Sequence, residues 1–565
     1  MQTSWTLTNA FSDEIVTNLA KQLTIPNVLA RVLLNRGIDS FDQAKSYFRA
    51  DIEHLYDPFI MADMEKAVTF IVDALQNKRK ILIYGDYDVD GTTSTAMLIL
   101  FFRQLGYFVD YHIPNRIQDG YGMSIETVEA AHKKGVDLII TVDCGITAIE
   151  EIKHARKLGL DVIVCDHHQP GPELPDAIAV LNPKRSDCPY PFKELAGVGV
   201  SFKLAQAIAQ KVGHSFDELS KLLDLVAIGS AADIVPLVDE NRIIVREGLK
   251  VLNETGNLGL RALLRNTGLA QKTIGTGQII FILAPRINAV GRMGDASRAV
   301  DMLIAQHESQ AYAIASILEH ENKQRRNLDE ETFKRAVDMV ESKFDPENDA
   351  AFVLNSEEWH LGVIGIVASR LVEKYYRPTV MISTENGIGK GSARSVPGFN
   401  IYDALEHCSD LMMTFGGHKY AAGLSIEKEK IEELRERLKT YTEQNLTGDM
   451  RVKTLSIDGE LAFSEIDDKF MRILKMMAPF GPQNMRPVFM SSNVQVVGNV
   501  SVVGKNHLRF RASQDGIIFD TIGFNLGGLL HRVTSNPKDL EIAYLVEENE
   551  WQGRISTQLR IKDIR

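Results

Sequence analysis

Seven acidic and histidine side chains stand at the ends of three short apolar runs. Asp86, Asp88 and Asp90 follow ILIYG, Asp143 follows LIITV, and Asp166, His167 and His168 follow VIVC. Short β-branched runs of this kind predict buried strands. Strands of an open α/β sheet place ligands outside their carboxyl ends, so the seven side chains are expected to meet in one crevice. Asp86, Asp88 and Asp90 recur at every second residue, which in extended geometry turns them to one side. Three carboxylates that close repel unless a cation neutralises them. Alone, such a triplet reads equally well as a solvated acidic turn; two further acidic strand ends favour the metal reading. A lone His-His pair is ordinarily surface, whereas one ending a buried strand beside Asp143 reads as ligand and supporting group. Carboxylate oxygens with one or two imidazoles suit Mn²⁺ or Mg²⁺ better than Zn²⁺. A metal held this way opens the door to phosphoryl chemistry. A calcium loop is a poor alternative, since its twelfth position, which needs Glu, is Met97.

The elements that must position these groups follow from the pattern around them. From about 78 to 183 strands alternate with amphipathic helices at 91–106, 124–135 and 148–159, each closed by glycine. The first should be capped by Thr92 to Ser94. This βαβαβ rhythm predicts a parallel sheet with right-handed crossovers. Residues 200 to 270 read as helical and carry Asp233 between apolar runs, where a charge needs a partner or a metal. Residues 305 to 344 read as one long helix or two, a connector whose charges form a solvated face. A second α/β unit spans about 350 to 445. From about 452 the chain turns to short strands with turn signals, a small antiparallel barrel. APFGPQNMRPVF (478–489) reads as a turn-rich hinge. Residues 1 to about 75 look helical and polar.

At 565 residues the chain should hold roughly three to four domains. A net charge of −12 argues against a strongly basic nucleic-acid coat but leaves room for a local basic groove. Cys144, Cys165, Cys188 and Cys408 include no CxxC pair, so core packing is expected rather than zinc or redox chemistry. Together with a start that lacks a basic-then-apolar leader, this points to the cytoplasm. No apolar stretch is long enough to span a bilayer.

In order along the chain, GDYDVDGTTSTA, VDCGITA, DHH and GSAADIVPL resemble the DHH phosphoesterase superfamily, and within it the RecJ branch of single-stranded-DNA-specific 5′→3′ exonucleases. GKGSARSVPGFN with FGGHKYAAGLS resembles its DHHA1 domain, and APFGPQNMRPVF with the following strands resembles the RecJ OB-fold domain. The pattern gives an N-terminal helical region (1–75) and a connecting helix (301–347), and the resemblance implies a parallel-sheet DHH domain (76–300), an α/β DHHA1 domain (348–450) and an OB-fold β-barrel (451–565). The resemblance implies that Asp88 and Asp90 bind metal, that Asp143 bridges two ions, and that His167 and Asp233 complete the second site. Asp86, Asp166 and His168 would orient ligands or substrate in the catalytic centre. The superfamily often has His where this chain has Tyr84, a poor ligand, so the number of ions, one or two, stays open. The implied reaction is hydrolysis of the 5′-terminal phosphodiester, releasing 5′-mononucleotides in recombination and repair.

Substrate contacts are expected at Arg286, Asn288, Arg292 and Arg298, and at Lys390, Ser392, Arg394 and Ser395, because guanidinium forks and exposed amides suit phosphate. Surface ion pairing is the alternative for the arginines. His418 resembles a substrate-loop histidine. Arg116, Tyr111 and Tyr121 could hook the strand, with core packing equally open for the tyrosines. In the barrel, alternation around His507 puts Phe510 inside and Arg509 and Arg511 outward as a DNA platform. The expected partner is single-stranded DNA, with the resemblance implying a single-strand-binding protein and a RecQ-type helicase, no membrane, and a monomer. The competing readings are a DHH/DHHA1 phosphodiesterase for short RNA or cyclic dinucleotides, which would lack the barrel, and a non-catalytic replication scaffold, which would lack intact ligands.

Overall fold

A computed structural model describes residues 3–8, 11–115, 122–551 and 553–565. The three apolar runs are strands Ile81–Gly85, Leu138–Val142 and Asp161–Cys165. The first two are buried at every position, because a parallel sheet is covered on both faces and shows no polar alternation. With Asp110–His112 and Ala179–Leu181 they form a five-stranded, all-parallel sheet. Its spatial order is Asp110–His112, Ile81–Gly85, Leu138–Val142, Asp161–Cys165, Ala179–Leu181. The chain reverses direction of winding between Ile81–Gly85 and Leu138–Val142, and a crevice opens at the carboxyl ends of such a pair. Asp86, Asp88, Asp90 and Asp143 leave the sheet there.

The first crossover helix, Val89–Gln104, is buried on nearly all sides. Its N-cap is Asp88, whose Oδ1 accepts the Gly91 amide at 3.1 Å, and not the expected Thr92 to Ser94. The threonines lie inside the helix, and their buried hydroxyls donate to carbonyls one turn back: Thr93 to Val89 at 2.7 Å and Thr95 to Gly91 at 2.8 Å. A hydroxyl without water takes the nearest free lone pair.

One helix, Glu308–Lys343, runs 36 residues, about 54 Å at 1.5 Å per residue. Its charges are more than a solvated face. Glu319 pairs with Arg286 at 2.5 Å, Glu321 with Arg298, and Asp329 and Glu330 with Arg370 at 3.2 and 3.1 Å. Ala336 and Val340 of the same helix join the apolar core of Phe352, Ile364 and Leu371. The second sheet has Phe352–Ser356 parallel to Thr379–Glu385, then Ile388–Arg394, Ala421–Glu427 and Met412–His418 antiparallel in turn.

Residues 1–54, 236–242 and 453–565 make a separate compact unit. The chain start is not helical throughout: Ser4–Leu7 is a strand, parallel to Thr454–Ile457. Helices Asp13–Leu23, Asn27–Asn35 and Phe41–Phe48 follow. Phe489–Val503, His507–Gln514 and Ile517–Gly523 pair antiparallel in sequence. Arg554–Ile564 joins Ile517–Gly523 in parallel, and Leu540–Trp551 closes the ring by pairing with both Arg554–Ile564 and Phe489–Val503. Val16, Leu33, Phe470, Phe489, Phe510 and Tyr544 share one core, so the barrel and the N-terminal helices bury their apolar faces together. Segment 478–489 is pinned rather than hinge-like. Buried Asn484 donates to the Met477 and Pro479 carbonyls at 3.0 and 2.6 Å, and its own carbonyl accepts from Arg36 at 2.6 Å and Tyr47 at 2.8 Å. All four cysteines are free and buried.

Candidate metal centre

The side chains at the strand ends meet. His167 Nε2 lies 3.2 Å from Asp143 Oδ1, 3.6 Å from Asp233 Oδ2 and 3.8 Å from Asp90 Oδ2. Three overlapping sets of atoms are each mutually within 4.8 Å: Asp90, His167 and Asp233; Asp86, Asp88 and Asp143; and Asp143, His167 and His168. Asp143 thus belongs both to the group around Asp86 and Asp88 and to the neighbourhood of His167. It holds φ 60°, a conformation that few residues but Asn and Asp tolerate, and this bends the chain sharply at the strand end.

Asp90 lies in the first turn of helix Val89–Gln104 and is buried. Its Oδ2 accepts the Gly197 amide at 2.7 Å and its Oδ1 the Val198 amide at 2.8 Å. These are the first amides of helix Gly197–Val212, where free N–H groups and the helix dipole favour an anion. A Cβ on Gly197 would stand 2.5 Å from Asp143 Oδ1, so only glycine lets the helix come this close. This support did not figure among the expected site residues. Its signal in sequence is the small-residue run AGVGVS opening an apolar helix.

The electrostatics describe a cluster waiting for positive charge. Burial, then the Asp88 charge, pushes Asp90 up to about 7. Burial, then Asp90 and Asp88, pushes Asp233 up to about 8. Burial, then the same two charges, holds Asp143 well above the carboxylate range. Burial, then His168, drives His167 down to about 3, leaving the neutral imidazole that a metal requires. Asp233 also caps the C-terminal end of helix Leu223–Ala232, where the dipole disfavours a carboxylate. Asp143 Oδ1 and His167 Nε2 are buried with no hydrogen bond. Lone-pair atoms left without a hydrogen bond and crowded carboxylates together fit a divalent cation with oxygen and imidazole ligands.

Behind this cluster, Asp166 accepts the Ile146, His167 and His168 amides at 2.9, 2.7 and 3.0 Å and pairs with His168 Nδ1 at 2.7 Å. Burial opposes charge on both partners, but their mutual bond wins. Asp166 falls below its ordinary value and His168 rises to about 9. Tyr84 belongs to none of the metal-capable sets; it is buried and its hydroxyl donates to the Gly122 carbonyl at 3.0 Å.

Three family models match in order: the DHH family N-terminal domain over 80–230, the DHHA1 domain over 348–444 and the RecJ OB domain over 457–563. The single-stranded-DNA-specific exonuclease RecJ of Bacillus subtilis (strain 168) is 40% identical over 97% of this chain and 69% of its own length. The chain belongs to the RecJ family. Its Escherichia coli K12 relative is 34% identical over 96% of both chains. RecJ of Thermus thermophilus in complex with Mn²⁺ superposes with a TM-score of 0.85 at 28% identity, covering all of this chain and 79% of that one. The same protein with Mg²⁺ gives 0.78 at 26% identity, with 100% and 78% covered. The parallel-sheet DHH domain, the DHHA1 domain and the C-terminal RecJ OB domain are therefore all present in this RecJ-family chain.

The expected phosphate ligands separate into two groups. Arg292, Lys390, Ser392 and Arg394 line one cavity of about 500 Å³ together with the glycines of 417–423. Arg292 Nη1 donates to the Gly362 carbonyl at 3.3 Å and Arg394 Nη1 to Ser392 Oγ at 2.9 Å. Arg286 and Arg298, by contrast, are engaged by Glu319 and Glu321 of the long helix. Ser395 is turned to the Phe399 carbonyl at 2.9 Å. Asn288 accepts the Val89 amide at 3.1 Å and so steadies the turn between Asp88 and Asp90. His418 lines a second cavity, of about 270 Å³, with Asp166, His168 and Gln169. Tyr111 donates to Asp301 at 2.6 Å and is bound to the fold rather than free to stack. Arg116 and Tyr121 lie outside the described residues. In the barrel strand Arg509 and Arg511 are exposed and Phe510 is buried, as alternation requires. No helix among the described residues is long and apolar enough to cross a membrane.

Proposed function

We propose that this chain is a Mn²⁺- or Mg²⁺-dependent exonuclease that removes 5′-mononucleotides from single-stranded DNA during recombination and repair. The observation that carries this is two ligand-capable sets, Asp90–His167–Asp233 and Asp86–Asp88–Asp143, brought together at the sheet's reversal point where Asp143 lies 3.2 Å from His167. Asp90, Asp143, His167 and Asp233 would hold one ion, and Asp88 and Asp143, with Asp86 beside them, a second. A metal held by these residues would supply a more acidic water and positive charge to offset the phosphate.

The chain's own groups do the rest. Gly197 and Val198 hold Asp90 in place. Asp166 keeps His168 protonated at neutral pH beside the cavity that His418 lines, where its N–H can donate to a phosphate oxygen. Arg292, Ser392 and Arg394 would seat the 5′-phosphate, fixing which end of the strand enters. Water adds to phosphorus, the bond to the 3′-oxygen breaks, and that oxygen leaves with a proton. Arg509 and Arg511, exposed on the barrel, would bind the backbone of the strand. The barrel favours long DNA over short RNA or cyclic dinucleotides as substrate. Cooperation with a single-strand-binding protein and a RecQ-type helicase, and a monomeric state, belong to the same proposal.

The test is degradation of a 5′-labelled single strand several tens of nucleotides long with Mn²⁺, against its duplex and its RNA counterpart. Mononucleotide release from the DNA strand alone is expected. Activity that survives Asp90→Ala combined with Asp143→Ala would remove the site assignment.

A further inference from the structure

Helix Leu223–Ala232 ends at Asp233, and the next residue, Ile234, adopts φ 62°. A left-handed residue just past a helix end is ordinary, but glycine normally occupies it, because a side chain there meets its own backbone. A β-branched side chain fits worst of all. Here the residue is isoleucine, and its side chain does not compensate by packing inside: Ile234 is 61% exposed, while the following Val235 is buried. Ile234 is thus an apolar side chain mostly shown to solvent in a costly backbone conformation.

Its position supplies the reason. Asp233 is 26% exposed at its side chain, against 1% for Asp90, 2% for Asp143 and 8% for His167. The metal centre is therefore partly open at Asp233, as it also is at His168, 36% exposed, and Ile234 is the next residue in the chain after that exposed ligand, Asp233. A phosphodiester in the crevice brings a nucleoside to the same mouth. Ile234 offers it an exposed apolar side chain directly beside a charged ligand in the chain.

We infer that Ile234 is a specificity-determining residue which packs against the unpaired nucleobase of the terminal nucleotide. A base stacked and paired in a duplex cannot turn to meet it, so the contact favours single strands. Taking an isoleucine side chain out of water against a base is worth about fivefold or more in binding. The inference rests on the exonuclease reading above.

The experiment compares strands carrying a normal or an abasic 5′-terminal nucleotide. For the natural protein the abasic strand should have a KM about fivefold or more higher, with kcat little changed. Ile234→Gly relieves the backbone and removes the contact. It should melt at a higher temperature and lose the KM difference between the two strands. Ile234→Asn, which tolerates the left-handed conformation, should lose the difference likewise while binding Mn²⁺ as tightly as before by calorimetry. An undiminished KM ratio in both variants overturns the inference. So does a fall in Mn²⁺ affinity in Ile234→Asn, which would mark the residue as support for Asp233. No cleavage of either strand by the natural protein would instead sink the exonuclease reading itself.

Discussion

The Gly197 amide donates to Asp90 at 2.7 Å across 107 residues of chain. That bond fastens the N-terminus of one helix to the first turn of another and aims a ligand at the metal centre. Any β-carbon at 197 would strike Asp143. Gly197→Ala should therefore weaken Mn²⁺ binding by about 10- to 100-fold, the usual cost of disturbing a ligand's support. Calorimetric titration of the variant against the natural protein checks this; an unchanged affinity would dismiss the contact as incidental.

Metal binding should release protons near neutral pH. Asp90 and Asp233, pushed up to about 7 and 8, hold protons that a cation must displace. Apparent Mn²⁺ affinity should rise between about pH 6 and 8 and level off above. The ion-free protein should show the opposite trend in stability. A carboxylate with its folded pKa raised binds more protons folded than unfolded, so stability falls as pH climbs from about 4 to 8. Melting curves with chelator and with Mn²⁺ should diverge with rising pH. Parallel curves would mean the cluster is not where the ion sits.

Asp166 and His168 form a pair with the contrary sign. Asp166 is lowered, so its contribution is present above the ordinary carboxylate pKa and fades in acid. His168 is raised to about 9, so its contribution is complete below about 6.5 and lost as pH passes 9. Asp166→Asn should bring the His168 pKa down from about 9, since burial is then opposed only by the Asp233 and Asp86 charges. Imidazole proton shifts followed by NMR would read this directly, and a pKa that stays near 9 would assign the shift to another neighbour.

Arg292→Ala and Arg394→Ala should each erase much of the preference for 5′-phosphorylated over 5′-hydroxyl ends, with about tenfold or more lost on the phosphorylated strand. Arg286→Ala should act differently. Its guanidinium is taken by Glu319 and the Ile282 carbonyl, so the variant should lower the melting temperature and leave the end preference intact. Steady-state rates on the two strand types separate these outcomes.

The exposed Arg509 and Arg511 should contribute to the salt dependence of strand binding. Each alanine substitution should flatten the slope of log affinity against log salt by about 0.7. An unchanged slope would place the DNA path elsewhere on the barrel.

Much of the centre was legible in the sequence because a parallel sheet leaves a simple trace. Uninterrupted apolar runs mark its strands, and their carboxyl ends must share one edge. That alone predicted the meeting of Asp86, Asp88, Asp90, Asp143 and His167. The alternation of Arg509, Phe510 and Arg511 likewise fixed their faces, since a strand has no third direction. What sequence spacing could not settle was how distant segments satisfy one another's charges. Arg286 and Arg292 stand in one short stretch and read alike. Only the packing of the long helix commits the first to Glu319 and leaves the second lining a cavity with Arg394. The Asp88 cap displaced the expected threonine cap, because buried hydroxyls found carbonyls within their own helix. The Asp90 grip by Gly197, the pinning of 478–489 by Asn484 and the isoleucine held left-handed beside Asp233 share that origin. Local sequence dictates which elements form and which face each side chain takes. Desolvation, acting where those elements close on one another, decides which polar groups must find each other.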